Sequence, residues 1–406
     1  MAGNNATPRR GTRSAPAKTR RKKLFGFINV SGGFDMYFFV LLMIILIVGL
    51  ATLYSASHVY AFNYDGGDSY FYIRKQLLWV AIGMVAMLGI SLVDYHVLHR
   101  WALPLYILAL GLLGLALVLP SESGIQRWIR IPGLGQFQPS EFAKFALILL
   151  FAHIISLHYK KMKTFTRGFL PLSAILAITC GLVIIEPHLS GTMLIAILGF
   201  MMMYVGGVRQ GWLFLVLGAG VALVFVMVVV MGYEQDRIAV WLHPLESFAN
   251  EITFEDGISG RDHAWQTVQS LYAIGSGGIL GQGPGNSRQK HLFLPEPQND
   301  FIFAIFCEEM GLVGAVLVLI LFALLVLRGL KIALRAPDKF GCMLAFGLTL
   351  QIGIQVALNV AVVSNLLPNT GISLPFFSYG GTSILMLMAQ MGVVLSISRQ
   401  SRMEKV

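Results

Sequence analysis

A chain of 406 residues that is 56% hydrophobic and 12% charged, with a mean hydropathy of +0.71, does not read as a soluble globular enzyme, because soluble domains are about a quarter charged. The 30 Lys and Arg exceed the 20 Asp and Glu to give a net charge of +10. In a membrane protein this excess reads as anchoring to anionic lipid, not as a nucleic-acid surface.

Residues 1–34 are predicted to be a disordered, basic cytoplasmic tail, since MAGNNATPRRGTRSAPAKTRRKK has no acid and no apolar periodicity. The apolar run that follows is too long for the h-region of a signal peptide. A membrane domain is predicted over 35–398, with ten spans at 35–56, 74–93, 102–119, 141–158, 168–185, 191–207, 212–232, 301–327, 341–363 and 374–397. Most approach the ~20 residues that cross ~30 Å of hydrocarbon. Residues 399–406 are read as a second cytoplasmic tail. Basic residues gather in alternate connections: Arg9 to Lys23, HYKKMKTFTR, Arg209, LRGLKIALRAPDK and the C-terminal tail. The positive-inside rule then predicts both termini in the cytoplasm and the long loop 233–300, between spans seven and eight, outside. The fold class is an all-α polytopic membrane protein. Cys180, Cys307 and Cys342 all fall in predicted spans, so neither a disulfide framework nor a Cys/His metal spacing is expected.

Six stretches depart from lipid-filling helix. The loop SESGIQRWIRIPGLGQFQ leads into Pro139, Ser140 and Glu141, a helix start with Ser140 as the candidate cap. Glu141 and Lys144, three apart, share a face in the first turns of a span. They read either as a self-neutralising pair or as the wall of a polar cavity, because an isolated charge there is costly. At the junction EPHLSGT, Glu186 and His188 meet at a helix end, where a lone histidine is more often a satisfied polar residue than a base.

Within the long loop, AWQTVQSLYAI has apolar residues at 264, 268, 271 and 272, which predicts a short helix on the membrane surface. IGSGGILGQGPGNS reads as tight turns and close packing, with a phosphate nest as the alternative. In LPEPQNDFIFAIFCEEMG, Asp300 stands at the mouth of span eight. Glu308 lies about 12 Å deeper at ~1.5 Å per residue. Glu308 and Glu309 face different neighbours and are assigned, with Ser378 and Tyr379, to a supporting polar network whose nearest cations are Lys144 and Arg127. Finally, NLLPNTGISLPFFSYGGTS is interrupted by Pro368, Gly371, Pro375, Gly380 and Gly381. Irregular backbone at membrane depth survives only against protein or water.

QPSEFAK, EPHLSGT, GQGPGNSRQK, LPEPQNDFIFAIFCEEMG and LPNTGISLPFFSYGGTS, in this order between about 35 and 400, resemble the SEDS family typified by FtsW, RodA and SpoVE. The resemblance implies a glycosyltransferase that polymerises peptidoglycan strands from lipid II at the outer face of the bacterial plasma membrane. It implies a class B penicillin-binding protein and other division or elongation proteins as partners. By resemblance, Asp300 matches the essential acid, Glu141 and Lys144 the charged pair, and Arg127 and Trp128 the outer-loop Arg-Trp. Asp300 is then the candidate catalytic base. Arg127, Trp128, Glu141, Lys144 and Arg237 are candidate substrate ligands. No cofactor is fixed by these motifs, although a divalent cation such as Mg or Mn would suit a diphosphate leaving group. Two motifs depart from the family: Glu186, Pro187 and His188 stand where many relatives read Gln-Pro-Asp, and Asn299 where Thr is common. Rival readings are a lipid II flippase, which needs a polar path through both membrane halves, and a non-catalytic scaffold of the division machinery.

Overall fold

The computed structural model describes residues 23–24, 28–29, 33–119, 127–131, 135–186, 188–226, 235–249 and 260–403. Most of the basic tail therefore lies outside the described residues, as do parts of the 120–134 and 227–259 segments. The only pairing described in the tail joins β1 (Lys23–Leu24) to β2 (Ile28–Asn29).

The rest is a helix bundle. Its members are α1 (Met36–Tyr64), α2 (Phe71–Leu92), α3 (His96–Val118), α4 (Pro139–His158), α5 (Leu170–Ile185), α6 (Leu189–Val205) and α7 (Gln210–Phe225). Three helices of the long loop follow, α8 (Gln235–Leu242), α9 (Pro244–Ala249) and α10 (Gly260–Gly277). The chain closes with α11 (Ile302–Leu334), α12 (Lys339–Val363) and α13 (Gly381–Met403). Among the described residues eight helices are long and apolar enough to cross a membrane, while α6 and the Gln210–Ala222 part of α7 are shorter.

Asp35 caps α1, accepting from Phe38 N at 3.0 Å, and its carboxylate is held by Arg328 of α11 at 2.7 Å. Its own N–H donates to Ser398 of α13 at 3.0 Å. One residue thus ties three helices at one end of the bundle. Asp338 does similar work at the start of α12, accepting from the backbone of Phe340 and Gly341 and from the Tyr95 hydroxyl at the start of α3. The core between these helices is aliphatic and aromatic, with α4, α12 and α13 the most enclosed of the membrane-length helices.

Several boundaries differ from the sequence reading: α1 runs to Tyr64, not 56, α3 begins at His96, not 102, and α11 runs to Leu334, not 327. The last span begins at Gly381, not at 374, because residues 374–380 run as irregular backbone, with Phe376 in a left-handed conformation (φ 66°). That segment enters the bundle: a Cβ at Gly49, midway along α1, would overlap the carbonyl of Phe376. This is the buried irregular backbone that its prolines and glycines predicted. The final helix also continues to Met403, so the helix runs into the predicted tail at 399–406. Ser140 does not cap α4. Gln138 holds that position without a side-chain bond, Pro139 fills the first turn, and the Ser140 hydroxyl turns to His188 Nδ1 at 3.4 Å.

α10 packs its predicted apolar face, Ala264 and Val268, on Val240 and Phe248 of the neighbouring loop helices, while Tyr272 is exposed. α11 is broken at Gly311 (φ 64°, ψ −169°). There its backbone pairs with the glycine loop: Gln282 N to Glu308 O and Gly283 N to Glu309 O at 3.0 Å, and Leu312 N to Gly278 O at 2.9 Å. A Cβ at Gly277 or Gly281 would collide with the carbonyl of Cys307 or Glu309. Close packing is therefore what these glycines serve.

Candidate active site

Asp300 sits one residue before the turn that starts α11, on the wall of a chamber of about 930 Å³. The chamber is enclosed by the first turns of α2, α4, α6 and α13, the re-entrant segment 371–380 and the loop 296–300. Its polar side carries Arg127, Lys75, Glu141, Lys144 and Asp300. Its apolar side runs between α2 and α13 along Leu78, Trp79, Ile82, Ile384 and Leu387.

The position of Asp300 is fixed through its backbone. Asn359 of α12 donates to Asp300 O at 2.8 Å and to Ile372 O at 2.6 Å, joining the acid's loop to the re-entrant segment. Ser378 Oγ donates to Asn299 O at 2.7 Å and accepts from Leu374 N at 2.8 Å. Tyr379 N donates to Gln298 O at 2.9 Å. Gln76 of α2 receives Gly380 N at 3.2 Å, and Gln355 of α12 donates to Ser373 O at 3.0 Å. The side chain is left for the chamber, since no donor to the Asp300 carboxylate is found among the described residues. Burial at this wall pushes its pKa up to about 6, against the pull of the Arg127 guanidinium and with the help of Glu296. A carboxyl so raised is a stronger base than a solvated aspartate and is still ionised at neutral pH.

Four non-glycine residues among those described adopt left-handed backbone: Leu292, Glu296, Asn365 and Phe376. All lie in the segments that flank Asp300. Such strain costs about 1–3 kcal/mol per residue and gathers where a site must be held in one shape.

Glu141 and Lys144 form a buried ion pair at 2.7 Å on the chamber wall, and Glu141 Oε2 has no partner there. Both sequence readings hold: the pair neutralises itself and it lines a polar cavity. Trp128 is exposed at 42% beside the hairpin of β3 (Ile129–Ile131) and β4 (Gly135–Phe137). That hairpin is fastened to α13 by Thr382 Oγ1 donating to Gln136 O at 3.0 Å. Arg237 is not with Lys144. It donates to Asn369 O at 3.3 Å and borders a second cavity beyond Asp300.

The predicted polar network divides in two. Ser378 and Tyr379 hold the Asp300 loop, as above. Glu308 and Glu309 hold the glycine loop instead, and neither Lys144 nor Arg127 pairs with them. Arg288 N, Gln289 N and the Ser287 hydroxyl donate to Glu308, with Arg288 N at 2.9 Å. The glycine-loop connection is therefore an anion nest, and its anion is the protein's own carboxylate. Glu309 pairs with Lys290 at 3.0 Å and accepts from Ser55 of α1 at 2.6 Å. Lys290, 1% exposed, was missed because it sits in a loop that reads as surface. Its only sequence signal is its place, with Arg288, between the glycines and a proline-rich turn. Gln76, Gln355 and Asn359 were missed too, although amides inside apolar spans mark buried polar contacts.

Glu186 is fully buried with neither carboxyl oxygen partnered among the described residues. Burial outweighs Arg127 and pushes its pKa up to about 8, so it is protonated at neutral pH. It is absent from the chamber lining. His188 lines the chamber, and burial with nearby Arg127 and Lys144 lowers it to about 3, which keeps it neutral. Glu186→Gln is accordingly expected to retain activity, as a neutral isostere of a neutral acid, while Glu186→Lys abolishes it. The comparison is read as initial rate of substrate consumption by the two purified variants.

Among the described residues no group of three or more His, Cys, Asp and Glu side chains is placed to hold a metal ion. A cation shared with a substrate's phosphates needs only one or two protein carboxylates, and Glu141, Glu296 and Asp300 all line the chamber.

Fold and site define a polytopic helical membrane protein that encloses, at one end of the bundle, a chamber half apolar and half polar, with Lys75, Arg127 and Lys144 set among Glu141, Glu296 and Asp300. The chain belongs to the cell cycle protein family of FtsW, RodA and SpoVE, whose model matches residues 35–403. It is 40% identical to stage V sporulation protein E of Bacillus subtilis, over 91% of this chain and 98% of that one. It is 36% identical to the probable peptidoglycan glycosyltransferase FtsW of Geobacter sp. (strain M18), again over 91% and 98%. In fold it resembles a chain of a peptidoglycan synthase complex, with a TM-score of 0.71 and 24% identity over 91% of this chain and 98% of that one. It also resembles the rod shape determining protein RodA of Thermus thermophilus, with a TM-score of 0.64 and 24% identity over 90% and 97%.

Proposed function

We propose that this chain is a peptidoglycan glycosyltransferase of the bacterial plasma membrane, polymerising lipid-linked disaccharide units of lipid II, in division or cell-shape maintenance, beside a class B penicillin-binding protein. The observation that carries the reading is the open Asp300 carboxylate on a chamber with cations on one wall and an apolar slot on the other. An anionic headgroup and a lipid tail match those two walls. The basic connections, Lys160 and Lys161 after α4, Arg209 before α7 and Arg335 before α12, fall at the helix ends opposite Asp300. By the positive-inside rule this supports a chamber that opens to the outer leaflet with both termini inside.

The transfer balances as one displacement. The acceptor sugar's 4-oxygen forms a bond to the donor's anomeric carbon while its proton passes to Asp300. The anomeric carbon–oxygen bond breaks, and its electron pair leaves on the lipid diphosphate. Arg127, beside Asp300, and the Lys144 and Lys75 ammonium groups on the chamber wall supply the positive charge that the diphosphate requires. Mg or Mn, when bound with a diphosphate, would be held through Glu296 on the same chamber wall and would add Lewis-acid charge at the leaving group, leaving Asp300 to act as the base. Trp128 offers an exposed ring at the rim for sugar or lipid.

Both cavities described in the molecule border Asp300 at one end of the bundle. This arrangement favours the enzyme over a lipid II flippase, whose path must cross both halves. The test is reconstitution of the purified protein with lipid II and its penicillin-binding partner. Glycan strands are the expected product. Lipid II translocation into vesicles without any strands would establish the flippase instead.

A further inference from the structure

Asp300, Arg127 and Gly371 line not one cavity but two. Beyond them from the large chamber lies a second of about 340 Å³, between α8, α10 and the 365–371 segment. The divider is thin. A Cβ at Gly371, where φ is +69°, would come within 3.1 Å of Asp300 Oδ2, so the acid lies directly against the backbone that separates the spaces.

The two chambers differ in chemistry. The larger has the apolar slot along Leu78, Ile82 and Leu387, whereas the smaller is lined mainly by Arg237, Gln266, Thr267, Asn365, Asn369 and the ring of Trp241. Its amides are pre-arranged: Asn369 Nδ2 donates to Gln266 Oε1 at 3.0 Å, and each amide keeps further donors and acceptors. Trp241 is pinned by Nε1 donating to Asn365 O at 3.1 Å, and Asn365 Nδ2 returns a bond to Trp241 O at 3.2 Å. A pinned aromatic side chain, neutral amides and a threonine suit the C–H groups and the hydroxyls of a pyranose ring. Nothing in this lining suits a lipid tail.

We propose that the smaller chamber is a sugar subsite for the lipid-free part of the glycan, holding pyranose units of the growing strand while a lipid-linked sugar occupies the larger chamber. The inference rests on the glycosyltransferase reading and goes beyond it. A base that must touch an acceptor hydroxyl and stand beside the bond being broken belongs between two substrate spaces, and Asp300 stands there. A strand held by its own sugars stays bound between successive additions, so the smaller chamber sets how long the strands become.

The test is strand length. Wild type and Asn369→Ala/Gln266→Ala are reconstituted with lipid II and the penicillin-binding partner, and products are separated by size. Strands from the double variant are expected to be several-fold shorter while it still consumes lipid II. A lipid-free tetrasaccharide cut from finished strands is added to both. It is expected to shorten wild-type products by competing for the subsite and to leave those of the variant unchanged. Equal strand lengths in the two proteins would overturn the proposal. So would total loss of coupling in a variant that melts like wild type, since that would put the amide pair in the chemical step. If wild type itself makes no strands, the glycosyltransferase reading fails, and the subsite falls with it.

Discussion

Asp300→Asn is expected to lower the rate of polymerisation by about 10²–10⁴-fold, the range for loss of a positioned general base, with little change in lipid II binding. The amide keeps the volume of the side chain on the chamber wall but cannot take a proton. The same substitution is expected to raise thermal stability at neutral pH. Burial holds the folded-state pKa at about 6, above the ~3.9 of an unfolded aspartate. The folded chain therefore binds the proton more tightly, and stability falls as pH rises from about 4 to 6. Asparagine removes that penalty, so its advantage in melting temperature should be full at pH 7 and vanish below pH 4. An acid whose work was structural would show the reverse, with lower stability at pH 7.

Lys290→Met is expected to have the largest effect on stability. Lys290 Nζ donates to Gly285 O at 2.6 Å, Glu309 Oε1 at 3.0 Å and Ser55 Oγ at 3.1 Å. It thereby ties the glycine loop, α11 and α1 into one buried knot. Removing the cation leaves Glu309, 4% exposed, with the Ser55 hydroxyl as its one described side-chain partner, and breaking a buried pair in this way costs about 3–5 kcal/mol. Neutralising the partner as well should recover part of the loss, so Lys290→Met/Glu309→Gln is expected to melt above Lys290→Met. A thermal-unfolding cycle on the four proteins measures the coupling. Because this knot seats the short first section of α11, directly after Asp300, activity is expected to follow stability in the series.

The membrane helices were legible because apolar runs of span length have few other meanings, and most of them appear within a few residues of their predicted ends. The start of α13 was not. Pro375, Gly380 and Gly381 marked segment 374–380 as irregular, but its apolar residues set the start of the last span at 374, seven residues before the helix begins at Gly381. Asp300, Arg127, Trp128, Glu141 and Lys144 were legible through their motifs, and the structure brings them to one chamber. Their support was not legible, since it depends on long-range contacts. Asn359 reaches Asp300 across 59 positions of sequence and Ser55 reaches Glu309 across 254. Charge alone misassigned the partner of Glu309: the topological argument offered Lys144 and Arg127, while the fold supplied Lys290 from a loop that tucks inward. Arg237 was legible as a cation near the site but not as a residue of the second chamber, because the position of α8 is set by packing on α10.

The central claim is that Asp300 takes the proton from the acceptor hydroxyl. Its most direct test is the pH dependence of lipid II coupling by the reconstituted protein, wild type against Asp300→Asn, followed as strand formation between pH 5 and pH 8. The wild-type rate is expected to rise with pH through an inflection near 6 and then level, and the residual rate of Asp300→Asn to be far lower and to lack that inflection. An Asp300→Asn protein that polymerises at the wild-type rate, or that keeps the same inflection, would contradict the claim.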